Sequence, residues 1–385
     1  MIRSHWSKGG EGDELGPPVR RPAGHGGSLR HAVGGAKGGK ISLNAAAFAY
    51  HYQNCQAYRA YCDTHGMSPS GLTRYEDLAR IPPVPSDAFR EAEEPIASVS
   101  LEDVVLTATT SSTTSSKPCR FVYDQLSLDR LNRANAKVFR GVLGLRGGTI
   151  FVFGPPPQES DVALIRGMHL ALLAAGFYES DIRYLVREGK LAADAATSEI
   201  AEARRVPRYL YGPPFALMHV ARELVDRGQR VALEAESRAV VTGGWKRVKG
   251  QVSRDELTQT VCSAFGLQPT QVRDCLGLTD VFTMFPECEA GKKHVPPWFH
   301  VSIRNPERLD REMSEGETGL LVYLGPLIRS YPPYTMPADM GAQWHLAPCD
   351  CGRTGQVVEH RGRATASGAR GCAIRMEEFM EIIRR

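Results

Sequence analysis

Apolar residues recur at Phe48, Tyr52, Cys55, Tyr58 and Cys62, a spacing that lines one face of a helix. Structure is expected to begin at Ser42, which is suited to cap that helix, and Gly66 is suited to stop it. The next strip, residues 81–89 (IPPVPSDAF), carries too many prolines for a helix and predicts an extended crossing segment. Continuous apolar runs at 149–153 (TIFVF) and 238–242 (RAVVT) predict buried strands. Stretches 161–175, 214–226 and 254–265 predict helices. Such alternation predicts an α/β fold with substantially parallel strands. After Gly277 the texture changes to short strands and turns, such as 319–325 (GLLVYLG), and a short helix over 376–383 follows the last glycine-rich turn.

Composition narrows the class. A content of 42% hydrophobic and 23% charged residues is ordinary for a globular chain, and excludes wholesale disorder. No apolar run nears the roughly 18–20 residues that span a bilayer, so membrane insertion is not expected. The net charge of +4 arises in residues 1–40, where seven Lys/Arg face three Asp/Glu among 11 of the 38 glycines. That segment predicts a flexible tail. The remainder is neutral, with no surplus of basic residues to form a nucleic-acid-binding face. The expected organisation is a tail at 1–40, a main domain at 41–362 and a short C-terminal remnant at 363–385. Nine cysteines and no apolar secretory core near Met1 point to a reducing compartment, with cytoplasm the default.

Five groups of residues can carry chemistry. Thr110, Ser111, Ser112, Thr113, Thr114, Ser115 and Lys117 form a run of small hydroxyls with a cation, able to converge on phosphate oxygens or to serve as a solvated linker. Gly277-Leu278-Thr279-Asp280, Met336-Pro337-Ala338-Asp339, and Gly362-Arg363 ahead of Arg370-Gly371-Cys372 are weak signals one by one. Cys288, His294, Cys349 and Cys351 supply four N/S ligands of the kind zinc takes; with 54 residues between His294 and Cys349 they can equally be unconnected. Cys55, Cys62 and Cys262 read as core, and Cys119 and Cys275 as packed thiols. Trp298 and His300 suit either an acyl pocket or the core. Trp245, beside Gly243 and Gly244, suits a pocket wall.

The order of these motifs resembles the adenylate-forming superfamily of acyl ligases. The segments HYQNCQAYR (51–59), IPPVPSDAF, TGGWKRVKGQVSRDEL (242–257), ECEAGKKHVPPWF (287–299), SYP (330–332), CDCGR (349–353) and ARGC (369–372) resemble one family within it, the acyl-protein synthetase, which is the fatty-acid-activating subunit of bacterial luminescence reductases. Phenylacetate-CoA-ligase-like enzymes share the Cys/His elements. The resemblance implies the large N-terminal α/β domain of an adenylate-forming enzyme, with the C-terminal lid domain truncated. It implies that a small-molecule carboxylic acid attacks ATP to give acyl-AMP, and that a protein thiol then takes the acyl group for delivery to a reductase. By motif position the hydroxyl run would hold pyrophosphoryl oxygens, Thr279 the α-phosphate and Asp280 Mg²⁺. Asp339 would bind the ribose, Arg363 would sit near phosphate and ribose, and Cys372 would accept the acyl group. Arg370 and a helix start just beyond are expected to favour the Cys372 thiolate. The same resemblance draws the four zinc-type ligands together. Ser112 and Ser115 stand where the superfamily carries glycine, and Asp280 where it carries Glu. Two alternatives stay open: CoA as acceptor in place of Cys372, or a protein that no longer turns over ATP and acts as a reductase's partner.

Overall fold

The computed structural model describes residues 29–110, 117–160, 162–245, 251–346, 348–364 and 370–384. Two sheets dominate it. The first has six strands in the order Thr283–Pro286, Val272–Leu278, Ala239–Thr242, Arg208–Gly212, Thr149–Val152 and Ile182–Tyr184. All pair in parallel except the edge strand Thr283–Pro286, which runs antiparallel to Val272–Leu278. Helices cover both faces. Ala193–Glu202, Pro214–Asp226 and Arg254–Phe265 enclose the core around Phe151 and Leu210. Gln125–Val138 and Ala163–Ala174 enclose the one around Ile150 and Tyr209. Strands buried on both faces must be apolar throughout, which is why 149–153 and 238–242 read as continuous runs.

The helix bounds Pro214–Asp226 and Arg254–Phe265 coincide with those expected from sequence, because each end carries its own signal. Pro214 opens one helix, where its missing N–H costs nothing. Ser253 caps the other by accepting from the Glu256 amide at 3.1 Å, and Gly266 ends it at φ 68°.

The second sheet is antiparallel apart from one crossing strip. Val84–Pro85 joins it in parallel beside Tyr334–Met336, as the proline-rich segment suggested. Gly319–Leu324 pairs with Tyr334–Met336, His300–Arg304 and Asp339–Leu346. Gly355–Arg363 pairs with Asp339–Leu346 and with Lys293–His294. Fully buried Arg304 ties this sheet to the N-terminal part by donating to the carbonyls of Leu309 at 2.7 Å and Leu78 at 3.0 Å.

The chain's two ends depart from expectation. The first helix spans Leu29–Asn54, beginning thirteen residues ahead of Ser42 and taking in residues assigned to the tail. The reason is tertiary: Lys40 is buried and its Nζ donates to Gln356 Oε1 at 3.1 Å, inside the second sheet. Cys55 then separates this helix from Gln56–Thr64. The last helix spans Arg370–Ile383, so Cys372 lies in its first turn. Phe379 stacks edge-on against Tyr61, 5.0 Å between centroids. No helix of the described residues is long and apolar enough to cross a membrane.

Gly167 marks a contact between the two faces of the future site. A Cβ there would fall 2.1 Å from Cζ of Phe282. Ala normally favours a helix over Gly by up to about 1 kcal/mol, but crowding a packed ring costs about 1–3 kcal/mol. Gly167→Ala is therefore expected to lower the urea midpoint; an unchanged or raised midpoint would show that the Phe282 ring gives way freely.

Candidate active site between the two sheets

Chain order fixes where the site lies. From Thr149–Val152 the chain steps outward to the edge strand Ile182–Tyr184, then returns to Arg208–Gly212 on the other flank. Open α/β sheets bind ligands where the strand order reverses, beyond the strands' carboxyl ends. A cavity of about 1030 Å³ opens there, lined by Phe153 and Gly154, Gly212 and Pro213, and Gly243 and Gly244 at three strand ends. Gly212 is required by space, since a Cβ would meet Phe153 Cβ at 2.6 Å.

The far wall comes from the second sheet, through Tyr323, Asp339, His360 and Arg363. Thr110, Gly277, Thr279 and Asp280 line the cavity as well. Motifs as far apart in the chain as Thr110 and Arg363 thus converge on one space. Residues 111–116, which include Ser111, Ser112, Thr113, Thr114 and Ser115, lie outside the described residues. Their stem is described: Thr110 N donates to the Cys119 carbonyl at 3.1 Å, closing the ribbon of Val104–Thr109 and Arg120–Asp124. Lys117 is exposed at that ribbon's end.

The Thr279–Val281 turn is held from every side. Tyr331 Oη donates to the Asp280 carbonyl at 3.0 Å, and Asn135 Nδ2 to the Phe282 carbonyl at 2.9 Å. Ser86 Oγ, from the crossing strip, donates to Asp280 Oδ2. Phe282 follows at φ 48°, and Ala338 precedes Asp339 at φ 56°. Both are non-glycine residues in the left-handed region, a strain that persists only where packing imposes it. Burial pushes the Asp280 carboxyl up to about 6; Ser86 and Arg363 oppose the shift, and Asp339 adds to it. Asp339 faces Arg363 Nε at 3.2 Å and His360 Nε2 at 3.4 Å. Arg363 Nη1 also donates to the Pro337 carbonyl at 2.7 Å.

Beside the cavity, Cys288, His294, Cys349 and Cys351 place one ligand atom each within 4.8 Å of all the others. The alternative that they are unconnected is excluded by this geometry. Cys351 Sγ lies 3.4 Å from His294 Nε2, while buried His294 Nδ1 has no hydrogen-bond partner among the described residues. Next in sequence, Lys293 lines the cavity and reaches Asp274 Oδ2 at 2.8 Å and Glu287 Oε1 at 3.2 Å. Burial works to lower its pKa, but the two carboxylates outweigh it and leave the ammonium raised.

A family model described as acyl-protein synthetase, LuxE, matches residues 40–381. The chain belongs to the acyl-protein synthetase family. Two curated relatives carry the name long-chain-fatty-acid–luciferin-component ligase. The one from Vibrio harveyi is 26% identical over 340 residues, 87% of this chain and 86% of its own length. The one from Aliivibrio fischeri is 24% identical over 339 residues, 87% of each. Among solved structures, an open conformation of 2-hydroxyisobutyryl-CoA ligase with 2-HIB-AMP and CoA superposes with a TM-score of 0.66 at 16% identity, covering 84% of this chain and 74% of that one. The same ligase in the thioesterification state gives 0.65 at 16%, covering 88% and 69%. The fold is that of the adenylate-forming ligases, and an acyl-protein synthetase is an enzyme of that class.

Other sequence expectations for this acyl-protein synthetase change. Cys372 does not sit on a turn ahead of the last helix: it lies in that helix's first turn, buried, its Sγ 4.0 Å from the Met336 carbonyl. Burial pushes the thiol up to about 11, with Asp87 acting in the same direction, which works against the thiolate expected there. Trp245 packs on the helices of the first sheet and leaves the cavity wall to its glycine neighbours. His300 is core, bonded to Tyr75 Oη at 3.1 Å and Glu312 at 3.3 Å, and Trp298 packs against the same core. Ser86, Asp274 and Lys293 carried no sequence pattern that marked them.

A carboxyl whose pKa is raised by folding binds its proton more tightly in the native state. Its stabilising contribution is present below the ordinary value of 3.8 and is lost as pH rises through about 6. The loss is on the order of 3 kcal/mol. Asp280→Asn should flatten the fall in unfolding free energy between about pH 4 and 6, measured by denaturant titration at stepped pH; a profile identical to wild type would mean that the buried carboxyl is already ionised.

Proposed function

We propose that this acyl-protein synthetase condenses a carboxylic acid with ATP to acyl-AMP and then passes the acyl group to a thiol, for delivery to a reductase. In the first step a carboxylate oxygen attacks the α-phosphorus and the bond to pyrophosphate breaks. In the second, a thiolate attacks the acyl carbon and AMP leaves. The observation that carries the reading is the convergence of Thr110, Thr279, Asp280, Asp339 and Arg363 on one cavity at the switch point of a parallel sheet. Thr279 would donate to the α-phosphate, where charge gathers in the transition state. Asp339 would accept from the ribose, and Arg363 would sit between the two. Lys117 and the hydroxyl run would face the pyrophosphoryl oxygens. Mg²⁺, when bound, would neutralise phosphate charge, and Asp280 is the carboxylate in position to hold it. A cation there would also favour the ionised form that burial now disfavours.

Cys372 is the proposed protein acceptor, and its first helical turn must leave the core before the thiol can reach an acyl-adenylate. That burial is the observation favouring the second reading, in which CoA takes the acyl group directly. The long-chain fatty acids named for the two curated relatives are the first acids to try. None of the nine cysteines is joined in a disulfide, which supports a reducing, cytoplasmic setting.

The decisive measurement is ATP–pyrophosphate exchange over a panel of fatty and aromatic acids. Thr279→Ala should lower exchange on the order of 10²-fold. Cys372→Ser should keep exchange but lose the hydroxylamine-sensitive label that wild type retains from a radioactive acid. Acyl-CoA without protein label would establish the second reading. No exchange with any acid would leave a partner protein that has lost turnover.

We also assign Cys288, His294, Cys349 and Cys351 to a structural zinc ion. A tetrahedral Cys₃His site has ligand atoms ~3.4–3.8 Å apart, so separations within 4.8 Å need only a small contraction. Purified protein should contain about one zinc per chain, and Cys351→Ser should lose metal and thermal stability together; metal-free protein with wild-type melting would refute the assignment.

A further inference from the structure

The cavity wall carries two buried polar atoms without a hydrogen-bond partner among the described residues. Tyr323, in the strand Gly319–Leu324, is 1% exposed, yet it lines the cavity and its Oη has no hydrogen-bond partner among the described residues. Asp339 lines the same cavity, and its Oδ1 has none either; Arg363 Nε is 3.2 Å away but outside hydrogen-bonding geometry. Buried polar atoms are paired in the great majority of cases. A buried hydroxyl without a partner and a carboxylate oxygen held only by an ion pair, both lining one space, call for a ligand.

Their chemistry says which kind. Deep burial, then the carboxylates of Asp339 and Asp280, hold the Tyr323 phenol well above its usual pKa, so it keeps its proton and can donate. Asp339 can only accept. A donor and an acceptor lining one cavity complement a hydroxyl group, which can both give and take a hydrogen bond. A phosphate oxygen suits the position less well, since it would bring a third negative charge beside Asp339 and Asp280.

We propose that Tyr323 is a nucleotide-binding residue: its hydroxyl donates to a ribose hydroxyl oxygen of ATP while Asp339 accepts that hydroxyl's proton. This deepens the adenylation reading and rests on it. The ring of Tyr323 packs in the core beside Phe299, 6.4 Å between centroids, a contact that phenylalanine would keep. The hydroxyl therefore serves the ligand and not the fold.

The test is calorimetric titration of wild type and Tyr323→Phe with ATP, 2′-deoxy-ATP and 3′-deoxy-ATP, alongside the melting temperature of the nucleotide-free proteins. Tyr323→Phe should bind ATP about tenfold more weakly, the scale of one neutral hydrogen bond. One of the two deoxy nucleotides should bind wild type more weakly by a similar factor and bind the variant no more weakly than wild type, because the contact is already gone. The nucleotide-free variant should melt at or above the wild-type temperature. Equal ATP affinity in both proteins overturns the proposal. So do losses that add fully for both deoxy nucleotides, which would move the contact off the ribose. A variant that melts lower while discriminating ribose as wild type does would make the hydroxyl structural. Wild type that binds no ATP would instead remove the adenylation reading itself.

Discussion

A carboxylate shut between two sheets sets the terms for everything around it. Asp280 sits where the parallel sheet's last strand hands over to its antiparallel edge, and it meets the second sheet's crossing strip through Ser86. An isolated buried charge is not tolerated, so the group must be neutral, paired or joined by a cation. The surroundings meet that demand by over-determining the turn: Tyr331, Asn135 and Ser86 come from three separate segments and each takes one of its atoms. Phe282 can then remain left-handed, its ring pressed between Gly167 and Tyr123. Moving any of these parts would move the carboxylate.

The same constraint accounts for the cavity's polarity. One wall is made of strand ends and glycines, where backbone can approach a ligand closely. The other is made of side chains on the second sheet, where Asp339, His360 and Arg363 come from neighbouring strands. Register does this work. Asp339 pairs with Arg363 across the antiparallel ladder, so a carboxylate and a guanidinium separated by 23 residues meet at one height. Lys293 adds a third charged group at the other end, anchored by Asp274 and Glu287.

How far the sequence reveals this depends on whether the signal is local. The helices at 214–226 and 254–265 carry a proline start, a serine cap and a glycine stop, and their ends fall where expected. The first and last helices do not announce themselves. Gly34, Gly35, Gly38 and Gly39 argue against a helix that Lys40 secures from across the fold, and Gly371 disguises the start of a helix held by Tyr61 and Phe379. Thr279, Asp280, Asp339 and Arg363 were legible through the order of motifs. Ser86 lies in a proline strip and Tyr323 in an unbroken apolar strand, so nothing short of the fold marks them. Trp298 and His300 stayed open between core and pocket, because an aromatic beside prolines looks the same in either, and the fold places both in the core.

The Cys/His cluster has a consequence for the chain as a polymer. Its ligands lie at 288 and 294 on one side and at 349 and 351 on the other, and His300–Arg304, Gly319–Leu324, Tyr334–Met336 and Asp339–Leu346 fall between them. A cation held there would close a loop of about 55 residues and remove the corresponding freedom from the unfolded chain. Asp339 and Tyr323 lie inside that loop; Asp280 lies outside it. Chelation would then act on one wall of the cavity in preference to the other. The antiparallel half would loosen while the parallel half kept its shape, and the two carboxylates would lose their fixed separation before either sheet unfolds.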